Sequence, residues 1–187
     1  MYYNLILILV IVLLILLTQN NGSKVSIIVN GRTYMVHRYN DQSIMQKIAN
    51  TIHTLNKDID KLLVHLKNNE FQHKTIEIKR LLKRYKRHIT DLSPSATKHV
   101  AYNVHKGKVI ALCIYRDDKF EDYNTIMFVL LHELAHVMTK EYKHNKQFWD
   151  NFKFLIKQAI KMKIYTYQDF NNNSKQFCNM NIKYTPL

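Results

Sequence analysis

Residues 125–138 read TIMFVLLHELAHVM, with His132, Glu133 and His136 set inside an otherwise apolar run. Apolar residues surround the two histidines nearly all the way round a 3.6-residue repeat, so the spacing predicts a helix buried inside a fold. Asp122 or Asn124 can cap its start. Residues four apart lie about 40° apart around a helix axis, so both imidazoles can reach one point, while Glu133 is displaced by about 100° and approaches from the side. Two imidazoles and a carboxylate in such a helix are costly to bury without a metal ion or partners to satisfy them.

This HExxH spacing points to a zinc site with hydrolytic chemistry. Two neutral histidine nitrogens and a third protein ligand leave one position of Zn2+ open to water, whose pKa the ion lowers to about 7. Glu133 is then placed to act as general base and to pass the proton to a leaving amine. The longer metzincin pattern is excluded, because Val137, Met138 and Thr139 follow His136 with no glycine and no histidine at the required places. His144 falls between this helix and the next, where a loop can fold its imidazole back, and it is the preferred third ligand. Glu141 and Asp150 are the alternatives.

Upstream, VSIIV and RTYMV flank Asn30-Gly31, the pair favoured where both turn residues need positive φ, and read as a β-hairpin. Ile44, Ile48, Ile52, Leu55, Ile59, Leu62 and Leu66 keep helical spacing up to about Lys67, behind a cap at Asp41 or Ser43. A second helix over residues 74–88 is basic, and its stretch 78–88 interleaves Ile78, Leu81, Leu82 and Tyr85 with six Lys or Arg, giving one inward stripe and one basic face. After Pro94, HVAYNVH and KVIALCI read as two strands joined at Lys106-Gly107, directly before the HExxH helix. A last helix starts near Asn145, with Phe148, Phe152, Phe154, Leu155 and Ile160 as core candidates. The tail carries Tyr165, Tyr167, Phe170 and Phe177, enough aromatic surface to pack on the domain without indicating its own structure.

The chain has 187 residues, room for one domain with a real core plus an appendage. Residues 5–17 are an unbroken apolar run, and a helix over 1–18 would be about 27 Å long, so a single-pass transmembrane anchor is expected there, with a cleaved signal peptide as its rival. Residues 19–24 then form a linker and 25–187 the folded domain. Lys24, Arg32 and Arg38 follow the segment, and no charged residue precedes it, which places the domain on the cytosolic side of a membrane. Lys and Arg outnumber Asp and Glu by 28 to 14, a balance that favours anionic partners. The basic face of 74–88 is therefore a candidate contact for nucleic acid or another anionic surface. Cys113 and Cys178 stand far apart and in no CxxC pair, so neither a disulfide framework nor a cysteine-rich zinc knuckle is expected.

HELAHVMTKEYKHNKQFW, residues 132–149, resembles the HExxH…H-N-x-x-F signature of the WLM and SprT-like (Spartan-like) metallopeptidases, and especially the small metallopeptidase-like proteins of large DNA viruses. The resemblance runs over about residues 101–160. It implies an α+β minimal zincin fold, a small antiparallel sheet packed on the active-site helix, with a metal-binding core over about 100–160. It also implies that His132, His136 and His144 bind Zn2+, that Glu133 is the base, and that the 101–114 hairpin offers a sheet edge to an extended peptide substrate. The reading is thus a membrane-anchored zinc metallopeptidase. The rival is a catalytically idle basic module that tethers nucleic acid or anionic lipid at a membrane.

Overall fold

The computed structural model describes Ile6, residues 24–96 and residues 98–187. Strands β1 (Lys24–Val29) and β2 (Arg32–His37) pair antiparallel around Asn30 and Gly31, both at positive φ, as the Asn-Gly pair requires. The hairpin lays Tyr34 and Val36 on helix α1 (Gln42–Asn68), whose start is capped by the Asp41 carboxylate accepting from Ser43 N at 2.7 Å. Ile48, Ile52, Leu55, Ile59, Leu62 and Leu66 form the fully buried stripe of α1. A 3-10 turn (Gln72–Lys74) leads into α2 (Thr75–Arg84).

The expected basic helix over 74–88 is shorter than its sequence suggests. Tyr85 turns extended and is buried at 3% exposure, and Lys86 N donates to the Gly107 carbonyl at 2.8 Å, so the chain leaves the helix to join a sheet. That sheet has the order β3 (Ile89–Asp91), β5 (Val109–Leu112), β4 (Ala101–Val104). It is mixed, not purely antiparallel as expected, because β3 runs parallel to β5. Three residues with no exposed face leave no alternation by which sequence could reveal β3. Strands β6 (Tyr115–Arg116) and β7 (Lys119–Phe120) make a short hairpin around Asp117 and Asp118.

Helix α3 (Tyr123–Met138) follows, capped by Asp122 and buried on almost every side. Helix α4 (Lys146–Lys161) packs against it through Phe148, Phe152, Leu155, Ile156 and Ala159. Phe154 and Ile160, expected in the core, are only partly buried. The tail folds back on α3. Phe170 sits 4.8 Å from the Phe128 ring, and β8 (Lys175–Phe177) pairs with β9 (Met180–Ile182). Of the four tail aromatics, Tyr165, Phe170 and Phe177 are buried while Tyr167 is exposed.

Two expectations are corrected. Cys113, just beyond β5, is disulfide-bonded to Cys178 in the β8–β9 turn, although no disulfide framework was expected. Sequence spacing could not reveal the pair, since only the return of the tail across α3 brings the two thiols together. The membrane placement, with its single pass and cytosolic orientation, is also not carried forward. Among the described residues, no helix is long and apolar enough to cross a membrane. Residues 1–18 lie outside the described residues apart from Ile6, as do 19–23 of the linker, and Lys24 already belongs to β1.

Candidate metal centre

Helix α3 presents His132 and His136 from successive turns, and the segment after it returns His144 to them. His144 Nε2 lies 3.2 Å from His132 Nε2 and 3.0 Å from His136 Nε2. One ligand atom from each of the three lies within 4.8 Å of the others, and among the described residues this is the one histidine, cysteine or carboxylate cluster able to hold a metal ion. The two alternative ligands point elsewhere: Glu141 accepts from Asn145 Nδ2 at 2.8 Å, and Asp150 accepts from Lys146 Nζ at 2.7 Å.

The residues around the cluster explain why the loop returns. Asn145, the residue after His144, caps α4 by accepting from Phe148 N at 3.0 Å, which fixes where the helix begins. Phe148 is fully buried, and its ring centroid lies 4.4–4.9 Å from those of His136, His144 and His132. One aromatic ring thus supports all three imidazoles. At the end of α3, Thr139 N and Oγ1 both donate to the Ala135 carbonyl, at 3.0 and 2.7 Å. Asn151 then donates to Thr139 Oγ1 at 3.0 Å, tying α4 to that end.

Lys106, from the β4–β5 turn, was not singled out by sequence. Its buried ammonium donates to the carbonyls of Thr139, Lys140 and Glu141 and stands 4.1 Å above the Tyr142 ring. A cation at a helix C-terminus also complements the macrodipole. Lys106 therefore organises the segment that carries His144. The turn can approach this closely because Gly107 carries no side chain: a Cβ there would stand 3.0 Å from Val137 and 3.1 Å from Arg84 O. Its φ of +106° independently favours glycine. Asn103, on β4, accepts from Gly107 N at 2.6 Å and donates to the Glu133 carbonyl at 3.0 Å, linking the sheet to the motif.

Burial lowers His132 to about 3, with His136 and His144 adding to the effect; burial likewise lowers His136 to about 4, helped by His144 and Lys106. Both imidazoles are neutral at pH 7, which leaves nitrogen lone pairs for a Lewis acid. Burial raises the Glu133 carboxyl to about 7 against an opposing pull from Asn103. The donor set fits Zn2+. Nitrogens about 2.05 Å from a tetrahedral ion stand about 3.3 Å apart, close to the observed separations. Glu133, His132 and His144 also line one cavity of about 480 Å3, into which the start of β4 and the β8–β9 hairpin project.

A WLM domain matches residues 63–186. An uncharacterized protein of Acanthamoeba polyphaga mimivirus is 30% identical over 170 residues, covering 87% of this chain and 83% of the relative. An uncharacterized protein of Invertebrate iridescent virus 6 is 40% identical over 62 residues, covering 31% of this chain and 35% of the relative. Among solved structures, a Wss1 mutant from Saccharomyces cerevisiae aligns with a TM-score of 0.49 at 18% identity, over 69% of this chain and 91% of that one. With the domain match covering more than half of its residues and the mimivirus relative aligned over most of both lengths, the chain belongs to the WLM family of metalloproteases.

Proposed function

We propose that the chain is a zinc-dependent peptidase in which His132, His136 and His144 hold the ion through Nε2 and Glu133 is the general base. The observation that carries this reading is the convergence of three imidazole nitrogens at 3.0 and 3.2 Å, beside a cavity lined by two of those histidines, His132 and His144, and by Glu133. When bound, Zn2+ supplies a Lewis acid that polarises a carbonyl and lowers the pKa of water to about 7. Glu133 takes the proton of the attacking water and delivers it to the departing amine nitrogen. Strand β4 lies at the edge of its sheet beside the cavity and offers backbone groups to an extended peptide.

The test pairs metal analysis with turnover. The purified chain should carry one zinc and cut unfolded protein, and Glu133→Gln should retain the zinc while losing at least a hundredfold in rate. Absence of stoichiometric zinc sinks the reading. Retained zinc with no turnover in the parent chain favours the idle binding module instead. A nucleic-acid partner is a second element of the proposal, supported by Lys79, Lys83, Arg84 and Lys86, exposed on and just after α2. Single-stranded DNA should then bind at low salt and release as salt rises; substituting these four should flatten that dependence.

A further inference from the structure

We infer that the cavity beside the three histidines is a side-chain subsite for a large apolar residue flanking the scissile bond, and that its lysine rim selects an acidic neighbour. The inference rests on the peptidase reading and adds the substrate class. The cavity is built by separate parts of the chain, among them residues 98–101 at the entry to β4. Phe128 and Val129 come from α3, Trp149 and Phe152 from α4, and Met180 and Ile182 from the tail hairpin. Its volume of about 480 Å3 lies within the range of small-molecule pockets, so it has room for a large side chain with adjoining backbone.

The apolar walls continue outward to residues that water would otherwise cover. Met180 and Tyr184 are 43% and 52% exposed at the mouth, although Tyr184 is anchored edge-on to Trp149 at 5.0 Å. Exposed apolar surface continuous with a pocket is surface that a ligand can remove from water. Charge then narrows the ligand. Lys98 and Lys183 line the same cavity and are exposed, and neither makes an ion pair among the described residues. Glu133 is the one carboxylate among the lining residues. A peptide that places Phe, Leu or Met in the cavity therefore gains from Asp or Glu beside it, and a lysine there meets like charge. Because Glu133, His132 and His144 line the same cavity, an occupied subsite brings the adjoining peptide bond to the histidines.

Trp149, the single tryptophan of the chain, reports occupancy directly. Zinc-loaded full-length protein carrying Glu133→Gln is titrated with three capped hexapeptides that differ only in a central pair: Phe-Glu, Ala-Glu or Phe-Lys. Burial of the phenyl group should make Phe-Glu bind about 10- to 100-fold more tightly than Ala-Glu, with a change in Trp149 emission. Phe-Lys should bind several-fold more weakly than Phe-Glu at low salt, the two converging as salt rises. Met180→Ser, which shortens the apolar wall without adding charge, should weaken Phe-Glu and leave Ala-Glu nearly unchanged. The active chain, given the same peptides, should cut Phe-Glu fastest, next to the phenylalanine. Equal affinities for Phe-Glu and Ala-Glu overturn the subsite. Cleavage with no side-chain preference overturns it too and leaves the peptidase reading standing. Selective binding with no cleavage by the active chain keeps the pocket and removes the peptidase.

Discussion

Breaking the Cys113–Cys178 bond should cost this fold about 4 kcal/mol, and the figure comes from the loop that the bond closes. The bridged residues are 65 apart in sequence. For a loop of that length, the chain-entropy relation gives about 14 cal/mol/K of denatured-state entropy, or about 4 kcal/mol at 25 °C. Residual denatured-state structure makes this an upper figure. The native tail keeps other ties after reduction, since Cys178 N donates to Glu121 at 2.7 Å, Lys175 pairs with Asp122 at 2.8 Å, and Phe177 is fully buried. The reduced chain should therefore still fold. Urea denaturation followed by Trp149 emission, with and without dithiothreitol, should show the midpoint falling by about 2 M for a slope of about 2 kcal/mol/M. Cys178→Ala should match the reduced parent to within about 1 kcal/mol, because at this buried position alanine differs from reduced cysteine by a single thiol. A midpoint that does not move on reduction, or two titratable thiols in the unreduced native chain, would refute the reasoning.

Other substitutions test how the histidines are held. Phe148→Ala removes the ring beneath all three imidazoles and should cost about 3–5 kcal/mol in chemical denaturation; a loss below 1 kcal/mol would mean that the ring is dispensable. Lys106→Ala frees three carbonyls on the segment leading to His144 and should lower zinc affinity about 10- to 100-fold in chelator competition, with unchanged affinity counting against a positioning role. Although burial opposes it, hydrogen bonds from Lys175 and Thr125 draw the Asp122 carboxyl down to about 2. A depressed folded pKa stabilises above the unfolded value near 4, and that stability is lost as pH falls through 2. With its side chain 46% exposed, the screened contribution is at most about 1 kcal/mol. Asp122→Asn should therefore approach the parent in stability between pH 4 and pH 2, and parallel curves would refute the assignment.

What sequence revealed and what it hid divide along the range of the interactions involved. The HExxH helix was legible because a 3.6-residue repeat brings His132, Glu133 and His136 together within two turns, whatever the rest of the chain does. The Asn30-Gly31 hairpin and α1 were legible for the same reason, since a turn pair or an apolar stripe is a local signal. The β6–β7 turn escaped because Asp117 and Asp118 take positive φ without a glycine, and aspartate tolerates that region without announcing it. Lys106 escaped differently. In sequence it is a lysine in a hairpin turn and reads as solvated, yet its partners lie 33 to 35 residues away and become neighbours only when the turn docks against the end of α3. The tail hairpin and its disulfide carry this furthest, because Cys178 meets Cys113 across a separation of 65 residues. The cavity wall inherits the same dependence. Two of the three clustered histidines and Glu133 can thus be read from five consecutive residues, whereas the cavity beside them is assembled from residues 98–101, α3, α4 and the tail, and no local pattern encodes it.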